Sequence, residues 1–203
     1  MNDKLSLTQL DLLKEIGTIG AGRAATALAD LINEKVEISV PHASVIPLEN
    51  ISSLLGGMER LFFVLDMEMT GDISGRIFLL FSPEHAKLLS GCLLRKPKEE
   101  MDSNDEMFQS SLKECANILS GSYITALTEM TNLNAISSVP SLARDMVGAI
   151  LDFIFIQIAQ YSKEAFFIKT DLKVKGLSLE GLFLFFPSRE SLRRIFKVLG
   201  IKE

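Results

Sequence analysis

The chain carries the same pattern of residues twice, at a fixed offset of 99 positions. Five positions of the first copy recur with every spacing kept: Asp11/Ser110, Glu15/Glu114, Thr18/Asn117, Gly22/Gly121 and Pro41/Pro140. Further identities at the same offset are Lys14/Lys113, Ile19/Ile118, Thr26/Thr125, Ala27/Ala126, Leu28/Leu127 and Asn33/Asn132. So many coincidences without a gap indicate an internal duplication. The repeated stretch is therefore the part of the chain under the tightest constraint.

Composition limits the classes of protein to consider. With 203 residues, of which 47% are hydrophobic and 23% charged, the chain can bury a full core. A net charge of -5 argues against binding nucleic acid or an anionic membrane surface through bulk electrostatics. Cys92 and Cys115 lack the framework of a disulfide-rich protein, so we expect two thiols.

Two features of the sequence predict a cytoplasmic protein that does not enter a membrane. Residues 1–9 are polar and lack the apolar core of a signal peptide. The most apolar segment, residues 146–159, is too short to span a bilayer and contains Asp152.

Hydrophobic periodicity predicts the elements of the first half. Residues 6–33 have helical spacing, with Ser6 and Gln9 placed for a capping box, and three glycines at 17, 20 and 22 indicate a close approach by another group. We then expect a strand at 36–47 with a turn near Pro41, and a loop or short helix at 49–60. A hairpin at 61–69 and 73–81 and a helix at 82–94, capped by Ser82, complete this half.

The second half follows a linker at 95–104. A long helix at 105–130 and a short strand at 135–139 are predicted first. The apolar spacing of residues 141–159 predicts a helix that the first copy lacks in this form. A hairpin at 165–174 and 177–186 and a last helix opened by Pro187 and Ser188 repeat the end of the first half. Each half is therefore predicted as helix, strand, hairpin and helix, in an α/β protein.

Helical geometry places the repeated polar residues on one stripe. The second copy has the spacing i, i+4, i+7 and i+11, which keeps its four residues on one side of a helix: Ser110, Glu114, Asn117 and Gly121. The opposite side is apolar and is predicted to be buried; its residues are Leu112, Leu119 and Ala126, with Ile118 at its flank. A carboxylate beside a carboxamide, with a glycine one turn on, forms a polar surface that another molecule can approach closely. The equivalent stripe in the first copy is Asp11, Glu15, Thr18 and Gly22, which lacks the amide.

Simpler interpretations exist for these residues. Glu-x-x-Asn is common on solvated helix faces, and glycines and prolines repeated in a duplication can serve packing and turns alone. His42 and His85 have no metal-binding neighbours at ligand spacing, so no metal site is predicted. The glycines at 17, 20 and 22 lie inside a helix, and Ser120 is not in a nucleophile elbow, which disfavours dinucleotide and hydrolase motifs.

The repeated pattern Asp/Ser-x3-Glu-x2-Asn-x22-Pro resembles that of the CheC family of chemotaxis phosphatases, related to CheX and FliY. Ser110, Glu114, Asn117 and Pro140 match it completely, whereas the first copy departs from it at Thr18. The resemblance also covers residues 12–17, 24–27, 36–41 and 70–72, and so spans most of the chain. It implies one CheC-like domain over residues 1–203, made of two pseudo-symmetric halves at 6–95 and 105–203, with two exposed motif helices.

The resemblance also implies an activity, hydrolysis of the aspartyl phosphate on the response regulator CheY. Asn117 would orient the attacking water, Glu114 would pair with a lysine of the regulator, and Ser110 and Gly121 would line the contact. The protein would need no cofactor of its own, because magnesium would belong to the regulator.

The first copy is expected to be weak or inactive because threonine is shorter than asparagine and cannot easily reach the same water. Glu15, with Asp11 and Gly22, could still dock a regulator. The family is also partnered by the receptor deamidase CheD, and the segment 141–159, with Asp145, corresponds to that contact. The alternative to a phosphatase is a module that binds phosphorylated CheY or CheD, or an adaptor, with little turnover.

Overall fold

The computed structural model describes residues 6–47, 50–158, 164–174 and 177–201. The helices are α1 (Leu7–Ile32), α2 (Ile51–Leu54), α3 (Pro83–Leu94), α4 (Glu106–Thr131), α5 (Val147–Ile158) and α6 (Arg189–Val198), with one turn of 3-10 helix at Lys98–Glu100. The strands are β1 (Val36–Pro47), β2 (Leu61–Gly71), β3 (Gly75–Phe81), β4 (Ala135–Ser137), β5 (Ser141–Met146), β6 (Glu164–Val174) and β7 (Leu177–Pro187). The predicted mixture of helices and strands is confirmed.

The seven strands that the described residues form belong to one antiparallel sheet, in the order β1-β6-β7-β3-β2-β4. β5 also pairs with β2, at residues 61–66, while β4 pairs with the same strand at residues 69–71. The two halves exchange their first strands in this order: β1 of the first half pairs with β6 of the second, and β4 and β5 of the second half pair with β2 of the first.

Helices cover both faces of the sheet. The long helices α1 and α4 pack with α3 and α6 on one face, and α2 and α5 pack on the other. In β2 and β3 successive side chains therefore enter opposite cores: Phe63, Leu65, Ile77 and Leu79 enter the first, and Phe62, Val64, Phe78 and Leu80 enter the second. Burial on both faces explains why these strands are continuous apolar runs rather than alternating ones.

Helix boundaries follow the capping residues. Ser6 and Gln9 form the predicted capping box of α1, which ends at Asn33 in the left-handed conformation. Ser82 and Ser188 cap α3 and α6, as expected from the Ser-Pro and Pro-Ser pairs. Asp105 caps α4 by accepting a hydrogen bond from the Met107 amide at 2.9 Å.

The prediction of one helix over residues 141–159 is wrong in its first part. Residues Ser141–Met146 form β5, and the helix α5 begins only at Val147. The apolar residues of the whole segment fit one helical period, but they serve two different elements. Leu142 of β5 packs on the first core, whereas the buried apolar residues of α5 belong to the second core. Two predicted segment ends, Glu49 and Ala159, lie outside the described residues.

Candidate functional site

The second polar stripe lies on α4 because the rest of that helix is buried. Its core side includes Phe108, Leu112, Cys115, Leu119 and Tyr123, each at most 7% exposed. A helix with such a broad apolar face has only the opposite side available to solvent. Burial also raises the pKa of the Cys115 thiol to about 12, with a smaller contribution from the charge of Glu114, and so disfavours the reactive thiolate form.

The predicted site residues of the second copy share that exposed side. Ser110, Glu114 and Asn117 are exposed, and Gly121 is partly exposed with no atom within 4 Å of the position that a Cβ would take. The side chains of Glu114 and Asn117 form no hydrogen bond or ion pair with another described residue. A carboxylate, a carboxamide and open space therefore face outward together.

The first stripe, on α1, has a similar layout and different chemistry. Asp11, Glu15, Thr18 and Gly22 are all exposed, and a Cβ on Gly22 would also meet nothing within 4 Å. The Thr18 hydroxyl, however, donates a hydrogen bond to the Lys14 carbonyl oxygen at 2.9 Å. Its donor is directed back to the helix rather than outward, the usual behaviour of threonine inside a helix.

Arg23, directly after the first stripe, joins the two long helices. Its Nη1 donates to Glu129 Oε1 of α4 at 2.8 Å, and its Nη2 contacts the second carboxylate oxygen. This bond raises the pKa of Arg23 and lowers that of Glu129. Because both side chains are substantially exposed, the pair adds little stability, but it places a guanidinium beside the first stripe.

The motif prolines lie in matching parts of the sheet. Pro41 belongs to β1 at an irregularity in its pairing with β6, between Ser39 and His42. Pro140 is buried and separates β4 from β5. The residue Ser138 holds this break against β2, since its amide donates to the Glu68 carbonyl at 2.8 Å and its hydroxyl accepts from the Glu68 amide at 3.0 Å.

Asp145 lies on neither motif helix but on the strand β5, opposite Phe62 of β2. It is exposed, and its Oδ1 accepts a hydrogen bond from the Met146 amide at 2.7 Å. The following helix α5 buries one apolar side and exposes another, in which Phe153, Phe155 and Ile156 are 39%, 36% and 74% exposed. An apolar surface of this kind is typical of contact with another protein.

A buried polar network beneath α5 was not predicted from the sequence. Arg76 of β3 donates from Nε and Nη2 to the two carboxylate oxygens of Asp66 on β2, at 3.1 and 2.9 Å, and from Nη1 to Gln157 Oε1. Asp66 is only 8% exposed. The available signal was a charged residue inside the apolar run 61–67, which an apolar partner alone could not satisfy.

The candidate site is a surface rather than a pocket. A cleft of about 600 Å³ lies between the ends of α1 and α3, lined by residues such as Ile32, Leu88 and Arg95, and it includes no stripe residue. Within the described ranges, no group of three or more His, Cys, Asp or Glu side chains could hold a metal ion. Among these same residues, no helix is both long and apolar enough to cross a bilayer.

Comparison with known proteins identifies the family of the chain. The model of the family described as chemotaxis phosphatase CheX matches residues 63–152, and that of the CheC-like family matches residues 9–45. The chain is 31% identical to the CheY-P phosphatase CheC of Bacillus subtilis over 95% of this chain and 94% of that protein.

Solved structures share the fold. FliY of Thermotoga maritima superposes with a TM-score of 0.78 at 20% identity, covering 97% of this chain and 98% of that chain. CheX of Borrelia burgdorferi, in a complex with CheY, BeF3 and Mg2+, superposes with a TM-score of 0.52 at 14% identity, covering 86% of this chain and 97% of that chain.

The likeness to CheC, at 31% identity over nearly the full length of both proteins, shows the family. The chain belongs to the CheC family.

Proposed function

We propose that the protein hydrolyses the aspartyl phosphate of the response regulator CheY, mainly through the second motif. The observation that carries this proposal is the outward, unpartnered pair Glu114 and Asn117 on α4, next to the open space at Gly121. The CheC relative of Bacillus subtilis is a CheY-P phosphatase by name, and the CheX relative was solved bound to CheY.

The proposed step is attack of water on an acyl phosphate. The water oxygen forms a bond to phosphorus while the bond from phosphorus to the aspartate oxygen breaks, releasing inorganic phosphate and restoring the regulator's carboxylate. Such a reaction needs positioning more than covalent help. The Asn117 amide can hold the water in line through its oxygen or its NH2 group. Glu114 fixes the docking by pairing with a lysine of the regulator, and Ser110 and Gly121 line the contact.

Magnesium enters this proposal only as part of the regulator's own site. The neighbourhood of Glu114 offers one carboxylate and one amide, which is too few oxygen ligands for a dedicated magnesium site. We therefore propose that the protein has no metal or other cofactor of its own.

The first motif is proposed to dock a regulator weakly without hydrolysis. Its carboxylates, Asp11 and Glu15, are exposed, but the Thr18 hydroxyl donates to the helix backbone. A side chain in this conformation cannot present a donor to a water as far out as an asparagine amide can. Restoring the amide should therefore restore turnover at this position.

The experiment is the decay of phosphorylated CheY measured with the wild type, Asn117→Ala and Thr18→Asn in parallel. We expect the wild type to accelerate decay, Asn117→Ala to remove the acceleration, and Thr18→Asn to increase it. Retention of acceleration in Asn117→Ala would overturn the assignment to the second motif. Binding of phosphorylated CheY by the wild type without faster decay would replace the phosphatase with the binding module or adaptor.

A second contact, with CheD, is proposed at α5 and the end of β5. The exposed Phe153, Phe155 and Ile156 supply an apolar centre, and Asp145 and Asp152 are exposed charges near it in the chain. Ile156→Asp should abolish binding of purified CheD in a titration, while Ile136→Asp, on another exposed apolar residue, should not. Equal binding by both variants would contradict this assignment.

The architecture proposed for the family also fits the observed strand order. Each strand of one half has a counterpart in the other: β1 matches β4 and β5 together, β2 matches β6, and β3 matches β7. When every strand in the sheet is replaced by its counterpart and the strand order is read from the other edge, the same order results. This relation supports a single domain with two pseudo-symmetric halves, acting in the cytoplasm where chemotaxis regulators work.

A further inference from the structure

We propose that Lys113 is a further catalytic residue, whose ammonium group contacts the phosphoryl oxygens of the regulator docked on α4. This inference rests on the proposed phosphatase function and adds a cation to the proposed pair of Glu114 and Asn117. It starts from one observation: a lysine occupies this position in both copies of the motif, as Lys14 and Lys113. The amide, by contrast, is present in only one of them.

The position of Lys113 on the helix brings it to the edge of the stripe. It lies three residues after Ser110 and four before Asn117, spacings at which side chains on a helix are neighbours. The Cβ atoms at such spacings are about 5–6 Å apart. A lysine stem extends well beyond an asparagine amide, so the ammonium can pass the water held by Asn117 and reach the group that this water attacks.

Lys113 has no internal partner that would occupy its charge. The positions three and four residues away on α4 are Gln109, Ser110, Ala116 and Asn117, none of which is acidic. The half-buried side chain of Lys113 forms no hydrogen bond or ion pair with any residue that the structure describes. In the first copy the equivalent Lys14 has the carboxylate Asp11 three residues before it, where the second copy has a serine. Lys113 therefore has no acidic residue three or four positions away, although neither lysine forms an ion pair among the residues that the structure describes.

The chemistry suits an ammonium group at this point. During hydrolysis the negative charge is spread over the three equatorial oxygens of the transferring phosphoryl group, and positioned cations stabilise that charge. Lys113 transfers no proton and forms no bond in this step. Its contribution is electrostatic and largest in the transition state, so it should act on kcat more than on KM.

The test is steady-state hydrolysis of phosphorylated CheY by full-length Lys113→Met, Lys113→Arg and Lys14→Met. We expect Lys113→Met to lower kcat on the order of a hundred- to a thousandfold with a smaller change in KM, because one donor to a developing charge has an effect of this size. Lys113→Arg, which keeps the charge, should retain more activity. Lys14→Met is the matched control, and its kcat should equal that of the wild type.

Two outcomes would overturn the role of Lys113. A kcat within twofold of the wild type in Lys113→Met excludes it, and so does a defect confined to KM, which would make the lysine a docking residue. Asn117→Ala, assayed alongside, separates this failure from that of the proposed function: if Asn117→Ala is fully active, the phosphatase assignment itself fails. Thermal unfolding of each variant shows whether a loss of kcat follows a loss of folded protein.

Discussion

Gly20 of α1 lies against the backbone of Tyr123 of α4, so that a Cβ added to Gly20 would be 2.8 Å from the Tyr123 Cα. Of the three glycines in α1, this one therefore permits the close approach that the sequence indicated. Gly22, in the stripe, has open space instead. The two glycines serve different purposes although they are two residues apart: one allows the helices to pack, and the other keeps the surface flat.

Gly20→Ala should destabilise the protein because backbone atoms of α4 cannot move aside without shifting the whole helix. We expect a loss of about 1–3 kcal/mol in the free energy of unfolding, the usual effect of overpacking. The control is Gly121→Ala, where a Cβ meets no atom and the helix gains up to about 1 kcal/mol. Urea denaturation of both variants measures the difference, and equal midpoints would contradict the assigned contact.

Arg76→Met should destabilise the protein strongly, because it leaves the Asp66 carboxylate buried without its partner. Breaking a buried ion pair by removing one member costs about 3–5 kcal/mol. A double variant, Asp66→Leu with Arg76→Met, should recover much of this loss, since no charge then remains buried. Denaturation of the single and double variants tests the pair, and equal instability of the two would indicate that packing rather than charge is responsible.

The stability of Arg76→Met should also depend on pH. Burial raises the pKa of Asp66 in the folded protein, against the opposite effect of Arg76, so this carboxyl binds its proton more tightly in the folded protein than in the unfolded chain. The stability that protonation provides is present below the unfolded pKa of about 3.9 and is lost as pH rises through the folded pKa. Removing Arg76 raises the folded pKa further. We therefore expect the loss caused by Arg76→Met to be larger at pH 7 than at pH 4, measured by denaturation at both.

The two cysteine thiols should differ in reactivity. Cys115 is fully buried with its pKa raised to about 12, whereas Cys92 is only partly buried. Because the thiolate is the reactive form, Cys115 should resist a thiol reagent at pH 8 until the protein unfolds. In a Cys92→Ser variant, labelling of the remaining thiol should follow the denaturation curve. Rapid labelling of the native variant would show that α4 opens locally.

Asn117→Asp tests the chemistry of the amide with almost no change in shape. The carboxylate cannot donate a hydrogen bond, and its charge would repel the phosphoryl group and Glu114 on the same stripe. We expect decay of phosphorylated CheY to slow on the order of a hundredfold, the effect of losing one preorganised polar group. Aspartate at the equivalent position of the first copy, in Thr18→Asp, should leave the rate unchanged. A response there would show that the first copy contributes to turnover.

Local signals in the sequence were sufficient for most element boundaries. Helix ends are set by hydrogen bonds or backbone conformations that involve only nearby residues. Three serines cap the starts of helices and one asparagine caps an end: Ser6, Ser82, Ser188 and Asn33. The exposed stripe on α4 also followed from helical spacing alone, because the opposite side is apolar. These features depend on short-range chemistry, which a sequence displays directly.

The parts that the sequence did not reveal depend on contacts between distant residues. The apolar residues of the strand Ser141–Met146 fit a helical period and so predict helix, although residues 42–47, which lie 99 positions earlier, belong to the strand Val36–Pro47 and pair in the sheet as its counterpart. The network of Asp66, Arg76 and Gln157 joins three separate elements. Pairing between strands and charge pairs across a core are set by the fold as a whole, not by neighbours in the chain.

The exchange of edge strands between the halves has a consequence for the history of the chain. β1 completes the sheet beside β6, and β4 and β5 complete it beside β2, so neither half keeps a whole sheet when the other is removed. A copy of the motif can therefore lose its amide at an exposed position such as Thr18 without harm to folding, yet the same copy cannot be deleted. Exposure at the surface leaves that residue free to change without a cost in packing, while the interdependence of the two halves in the sheet retains the helix that carries it.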